Sequence, residues 1–344
     1  MNILNRIILV IITTLTSLAW TDVQTLVIDT GPGLATVTRM DNGDIFVYDT
    51  GHWNTQSAVF QTMKDFIGNN DIDLLVLSHI DSDHIAATDE LFAEFRVQRV
   101  IRTGLIRSSP TATWKRANKA IEEAAKAGLT HDINLAKVNF QHGTTFQYGA
   151  STITILSGFH KPPDDWGLSG SEYYNGNSIV VRLEYAGNSI LFTGDAVGRD
   201  EKENDPESPS IATEKYLIDN SQNRPISSNI MFAPHHGGND ASSSDFIREV
   251  APQWVIFSAG HDHEHPRQET ADRYLRLGYS PECLLRTDMG DNEDPGKEWD
   301  YGRSTQRDSS GDDNITIELP SSGKKPIVSY EGANKINCQI LPYR

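Results

Sequence analysis

The chain has 344 residues, with 47 Asp and Glu against 30 Lys and Arg, a formal charge of −17 and 38% hydrophobic residues. That length suits one large or two ordinary domains. Apolar segments recurring along it, with six Trp, eleven Tyr and twelve Phe to pack, exclude a disordered, collagen-like, coiled-coil or multi-span membrane protein. The acidic balance opposes a general nucleic-acid coat or an anionic membrane surface as partner, because long-range repulsion would slow the encounter.

Residues 1–19 read as a secretory signal peptide. Met1 to Arg6 carries one positive charge and no acid, Ile7 to Leu18 is an apolar stretch, and Ser17 and Ala19 are the small residues of a cleavage site. The alternative, a membrane anchor, would need ~20 apolar residues. Cleavage would remove Arg6 and no acid, taking the charge to −18. It would leave a secreted or periplasmic protein without stable membrane association. The mature domain is expected over 20–322, with 323–344 as a C-terminal extension. Cys283 and Cys338 are either one disulfide near the C-terminus or two independent thiols.

Short β-branched runs then alternate with helical patterns. Strands are expected at Thr25–Ile28, Ile45–Tyr48, Leu74–Leu77, Val97–Arg102, Ile153–Leu156, Ile179–Tyr185, Ser189–Thr193, Ile230–Ala233, Trp254–Ser258 and Ile315–Leu319. Helices are expected at Thr55–Ile67, Ala86–Glu94, Thr113–Ala127, Ser243–Val250 and Gln268–Leu277. This is a layered α/β pattern, and hairpin spacings such as that around Ala186-Gly187-Asn188 point to mixed sheets. No glycine-rich phosphate loop occurs. Two acidic stretches, Arg199–Ser210 and Asp288–Asp313, read as solvated surface insertions; the second does not have the carboxylate spacing of a twelve-residue Ca²⁺ loop.

The densest chemical signal is His79-Ile80-Asp81-Ser82-Asp83-His84, directly after an apolar strand and before a helix expected from near Ile85. In extended backbone, residues two apart share a side, so His79, Asp81 and Asp83 can converge while His84 turns to a second position. Imidazole and carboxylate suit Zn, Mn or Fe, and two adjacent sets suggest a dinuclear site. The bland alternative is a solvated turn at a strand end. Three later apolar strands end the same way: Ile190–Asp195 in a carboxylate, Ile230–Gly238 in His235 and His236, and Trp254–Ser258 before Gly260-His261-Asp262-His263-Glu264-His265-Pro266. One rim would collect them all.

The order HIDSDH, NGNS (Asn175–Ser178), LFTGD, PHHGG and GHDHEHP resembles the metallo-β-lactamase superfamily, and within it the hydrolase domain of the competence protein ComEC type. Asp29–Gly33 and Tyr48–Gly51 resemble that group's two N-terminal glycine turns, and the similarity spans roughly residues 24 to 320. The resemblance implies an αβ/βα four-layer sandwich with two mixed β-sheets and metals at the sheet edges. It implies His79 and Asp81 on a first metal, Asp83, His84 and His236 on a second, and Asp195 as the bridge. His235 and His265 are each a ligand, an orienting group or the acid that protonates a leaving oxygen. The chain also departs from the superfamily. Asp81 stands where a second His is usual, Asn175 lies near the place of a missing third His, and Ala86-Ala87 follow the motif where Gly is common. The harder oxygen ligand shifts preference from Zn toward Mn or Mg at that site. His160 is an alternative completion of the first site, against the ordinary reading of a loop histidine.

Two divalent ions, Zn or Mn, would lower the pKa of a water held between them and polarise the scissile group, with Asp83 orienting the resulting hydroxide. Such a site specifies hydrolysis better than substrate. Between Arg96 and Lys119 lie seven basic residues and no acid, among them Arg102, Arg107 and Lys115. These, with Asn175 and with Trp114 for stacking, form the expected substrate-binding patch for a phosphodiester or other small-molecule or polymer substrate, nucleic acid included. The alternative is a solvated face. The leading expectation is a secreted phosphodiesterase or nuclease-like hydrolase; the alternatives are a β-lactamase or small-ester hydrolase, or a binding module without metal.

Overall fold

The computed structural model describes residues 21–289, 296–300, 313–333, 335, 336 and 338. The expected signal peptide lies outside the described residues, as do 290–295, 301–312, 334, 337 and 339–344. Two sheets stack face to face. The first runs β15-β14-β1-β2-β3-β4-β5-β6 and the second β13-β12-β11-β10-β9-β8-β7. In the first, β1 is Val23–Val27, β2 Ala35–Arg39, β3 Ile45–Thr50, β4 Leu74–Leu77, β5 Arg99–Arg102, β6 His131–Asn134, β14 Ile315–Leu319 and β15 Ile327–Tyr330. In the second, β7 is Thr145–Tyr148, β8 Ser151–Ser157, β9 Val180–Tyr185, β10 Asn188–Phe192, β11 Ile230–Phe232, β12 Trp254–Phe257 and β13 Leu284–Arg286.

Both sheets are mixed, as expected. β3 to β6 and β10 to β13 pair in parallel, and the other pairings are antiparallel. The parallel strands β4, β11 and β12 read as unbroken apolar runs because both of their faces are covered. Alternation sorts each run into two cores. Phe46, Tyr48, Leu74 and Val76 meet Ile190, Phe192, Phe232 and Ile256 between the sheets. Ile45, Val47, Leu75 and Leu77 face outward onto Val59, Met63, Leu91, Ala117 and Ile121, which belong to α1 (Gln56–Ile67), α2 (Thr88–Glu94) and α3 (Ala112–Lys126). On the other sheet, Leu191, Met231, Val255 and Phe257 pack with Leu217, Phe246, Ile247 and Tyr274, from α5 (Ala212–Asp219), α6 (Ser244–Val250) and α7 (Gln268–Arg276). The four layers are therefore αβ/βα. Val59, Met63 and Ile67 of α1 recur every fourth residue, the stripe that a surface helix buries.

Several boundaries differ from the sequence expectation. The helix expected from Ala86 begins at Thr88. Strands β2, β6, β7, β13 and β15 and helices α4 (Gly170–Asn175) and α5 were not expected. Part of 323–344 is in the first sheet, since β15 pairs with β14 from Ile315↔Tyr330 to Glu318↔Ile327. Cys283 and Cys338 form a disulfide, so the reading of two independent thiols is overturned. The acidic stretches are more than solvated insertions. Buried Arg199 donates to the carbonyls of Glu203 and Asp205 and so folds its own loop. Asp288 and Glu298 are buried against Arg286. Among the described residues no helix is long and apolar enough to cross a membrane.

Candidate metal centre

The parallel strands end at one rim, and the chemistry collects there. β4 delivers His79, Asp83 and His84; β10 delivers Asp195; β11 delivers His235 and His236; β12 delivers the Ser258 carbonyl. The turn after β4 is held by backbone bonds from Leu34 N–H to the Asp83 carbonyl (3.2 Å) and from Thr50 N–H to the His84 carbonyl (2.7 Å). The N-terminal glycine turns thus serve to clamp the ligand loop. Gly33 is needed because a Cβ there would stand 2.5 Å from the Asp83 carbonyl oxygen. Gly194 has φ +52 and sits where a Cβ would meet Ser78 Cβ at 2.7 Å, which lets the ends of β4 and β10 approach. His235 and His236 both have positive φ, 49° and 55°, a costly backbone for two consecutive side-chain-bearing residues that marks this turn as built for its imidazoles.

Donor atoms of Asp83, His84, Asp195 and His236 all lie within 4.8 Å of one another. Asp195 presents its two oxygens to two groups. Oδ1 is 3.1 Å from His84 Nε2 and 3.4 Å from His236 Nε2. Oδ2 is 3.6 Å from His79 Nε2 and 3.8 Å from His235 Nε2. Asp83 Oδ2 lies 3.7 Å from His84 Nε2 and 3.8 Å from His236 Nε2, on the side open to the cavity.

Outer partners fix the imidazole tautomers. His84 Nδ1 lies 2.8 Å from Asp49 Oδ2, and His236 Nδ1 lies 2.6 Å from the Ser258 carbonyl. Both partners only accept, so each Nδ1 carries a proton, and in the neutral ring each Nε2 turns its lone pair into the cluster. Those two Nε2 atoms are 3.1 Å apart. Two lone pairs at that separation repel unless positive charge, a metal ion or a proton on one Nε2, lies between the rings and the carboxylates. His79 Nε2 and Asp195 Oδ1 are also buried without a hydrogen-bond partner. The residues therefore fit a metal: two imidazoles and two carboxylates converge, with outer acceptors orienting the rings.

The electrostatics agree. Burial opposes charge on His84, yet Asp195, Asp49 and Asp83 push its pKa well above the usual imidazole value. Burial would raise the Asp195 carboxyl, but His84, His236, His235 and His79 hold it well below the carboxylate range. Burial lowers His79, with His84 adding to the effect. Burial also opposes charge on His235, but Asp240 and Asp195 raise it to about 10. His265 is held well below its ordinary value by burial and by His235 and His236.

A cavity of about 490 Å³ opens over the cluster. Among the residues expected at the site, Asp81, Asp83, Arg107, Asn175, Asp195, His235, His236 and His265 line it. Asp81 is not brought into the cluster, because its carboxylate is bound by the Arg107 guanidinium. Asn175 Nδ2 lies 3.3 Å from His235 Nε2, and Asn175 Oδ1 is left unpartnered. The basic patch breaks up. Arg102 is buried in a two-pronged pair with Asp132 at 2.7 and 2.9 Å. Lys115 is exposed on α3 beside Trp114, Glu122 and Lys126, lining a separate depression. Neither residue lines the metal cavity, so the expected phosphate patch reduces to Arg107. His160 lies beside the Thr103 carbonyl in another depression and is not brought to the cluster.

Several residues of the site were not singled out from sequence. Asp49 holds His84; Asp240 Oδ1 holds His235 Nδ1 at 2.6 Å; Trp53 and Arg267 line the cavity. Tyr174 carries the Arg107 guanidinium 4.0 Å above its ring centre. Asp49 lies inside a quoted glycine turn and Asp240 five residues past His235, so proximity to ligands was the available signal.

An αβ/βα sandwich with this histidine and carboxylate cluster at its strand ends is the framework of a metal-binding hydrolase class. The chain belongs to the metallo-β-lactamase superfamily, whose model matches residues 28–261. It is similar to ComE operon protein 3 of Bacillus subtilis (strain 168), 24% identical over 260 residues, and to competence protein ComA of Neisseria gonorrhoeae, 25% identical over 263 residues. The alignments cover 73% and 76% of this chain but only 29% and 30% of those proteins. Among solved structures, a metallo-β-lactamase from Hirschia baltica aligns over 67% of this chain and 92% of its own at 15% identity and TM-score 0.35. The CmlA β-hydroxylase E377D mutant aligns over 70% and 46% at 14% identity and TM-score 0.39.

Proposed function

We propose that the protein is a metal-dependent hydrolase acting on phosphodiesters, secreted or periplasmic, with nuclease-like substrates within its reach. The observation that carries metal dependence is the convergence of His84 Nε2 and His236 Nε2 on the carboxylates of Asp83 and Asp195. Superfamily membership supports the same chemistry. The phosphodiester reading is supported by Arg107 at the cavity and by the similarity to two competence proteins.

When bound, divalent metal would acidify water and offset charge on the scissile group. The chain's own residues do the rest. Asp83 is the carboxylate of the cluster on the cavity side, with 19% of its side chain exposed, and it orients the attacking water through Oδ2. Arg107, braced on Tyr174, takes a non-bridging oxygen of the substrate. Asn175 fixes His235, and His265 borders the leaving group, its ring centroid 5.4 Å from that of His235. Zn or Mn are the ions this donor set accepts.

The test is a paired assay of Mn- or Zn-loaded protein on bis-p-nitrophenyl phosphate and on nitrocefin, with Asp83→Ala as control. Turnover of the phosphodiester, lost in Asp83→Ala, supports the reading. Turnover of nitrocefin alone would overturn it in favour of a lactamase.

A further inference from the structure

We propose that Trp53 determines which phosphodiesters this site accepts, by stacking on a flat ring in one ester group, so that nucleoside or aryl esters are preferred to ring-free alkyl esters. The inference rests on the phosphodiesterase reading above.

Trp53 follows the Gly51 turn between β3 and α1. Its indole is 47% exposed, while Trp254 and Trp299 are buried, and it lines the same cavity as Asp83, Asp195 and His236. A single exposed aromatic is ordinary. What sets this one apart is its support. The His52 ring lies against it, with centroids 3.7 Å apart and planes tilted by 39°. His52 is buried, and its Nδ1 accepts the Asn54 amide at 3.2 Å, so the ring proton is on Nε2. That Nε2 is buried with no acceptor among the described residues. A buried side chain, anchored through Nδ1 alone, is thus held under the indole, and the arrangement supports Trp53 on one side where it lines the cavity.

The remainder of the cavity says which way a substrate lies. Arg107 and the metal cluster fix the phosphate. Beyond His235 the groove continues into a lobe of about 420 Å³ lined by Glu172, Asp200, Glu201 and Asp240, with Lys202, Arg267 and the Asp240-paired His235 as its cations. A further phosphate on that side would meet carboxylates, which disfavours an anionic strand there. The ring-bearing ester group therefore lies along Trp53. Aromatic stacking tolerates any base, because every base has a π face.

Two substrates with one phosphodiester and one negative charge each separate the ring from the phosphate: dithymidine monophosphate and glycerophosphoglycerol. The wild-type, metal-loaded protein should favour the first in kcat/KM. Trp53→Ala should lower that preference about fivefold or more, chiefly through KM, and Trp53→Phe should restore most of it. Calorimetric binding of thymidine 5′-monophosphate against glycerol 3-phosphate should give the same loss and rescue without turnover. A preference that does not move in Trp53→Ala, with the melting temperature kept, overturns the inference while leaving the phosphodiesterase reading intact. Absence of turnover of both esters by the wild type removes that reading and this inference together.

Discussion

His84 and His236 face each other through Nε2 atoms 3.1 Å apart, while Asp49 and the Ser258 carbonyl each hold a proton on the Nδ1 of their ring. The arrangement is unfavourable for two free imidazoles and favourable around a cation. The orienting groups are therefore as much part of the centre as the ligands.

Asp49 is the first place to test this. Its carboxylate accepts from His84 Nδ1, from Ser78 N–H and from Ser78 Oγ, the latter two at 2.7 Å. Asp49→Asn keeps the volume and weakens the hold on the His84 tautomer. Metal affinity, measured by competition with a chromophoric chelator, is expected to fall about 10- to 100-fold. Unchanged affinity would show that Asp49 is only structural.

Arg107 and Arg102 should behave oppositely, although both belong to one basic run. Arg107→Ala removes one of the two arginines that line the cavity and should raise KM for anionic substrates while flattening their salt dependence. Arg102→Ala leaves half-buried Asp132 without its partner and should cost about 2 kcal/mol of stability in urea unfolding, with the salt dependence kept. The reverse pattern would return Arg102 to the substrate patch.

The difference between these two arginines shows how far the sequence can be read. Runs such as Leu74–Leu77 and Ile190–Phe192 announce themselves as buried strands, and the polar residues that follow each must lie at one rim. Those features made the layers and the positions of His79, Asp83, His84, Asp195 and His236 legible. Arg102 looks like a surface cation because its partner Asp132 is on β6, a strand with Ile133 as its sole apolar residue. Its pairing beside β5 is a long-range fact with no local signature. β13 has three residues, and β7 leaves Thr145 and Gln147 exposed, so their pairing depends on neighbours rather than on pattern. Asp81 was read from spacing and from the family resemblance, and neither shows that Arg107 competes for its carboxylate.

A pH effect on stability should come from Glu214. It is fully buried, accepts the amides of Ser242 and Ser243 at 2.6 and 3.0 Å, and has its carboxyl raised to about 7, chiefly by burial. Because the folded pKa exceeds the unfolded value near 4.5, the folded state holds the proton longer. The stabilisation is complete below about pH 4.5 and is lost as pH rises to about 7, by roughly 3 kcal/mol. Unfolding free energy from denaturant titrations should show that fall in the wild type and not in Glu214→Gln. An equal slope in both would assign the effect to other groups.

The Cys283–Cys338 disulfide closes a loop with a sequence separation of 55 and ties the last described residue to the turn before β13. Replacing both cysteines by Ser should cost about 4 kcal/mol by chain entropy and lower the melting temperature. Metal affinity should be kept, since neither cysteine lines the cavity. Loss of metal binding in the double variant would mean that the C-terminal segment supports the rim directly.

The central claim is that Asp83, His84, Asp195 and His236 hold metal. It is tested most directly by mass spectrometric metal analysis of purified protein after loading with Mn or Zn and exhaustive dialysis, beside Asp195→Asn and His236→Ala. The account predicts at least about one ion per chain in the wild type, approaching two at excess metal, and marked loss in both variants. A wild-type protein retaining much less than about one ion per chain, or variants retaining as much as the wild type, would contradict it.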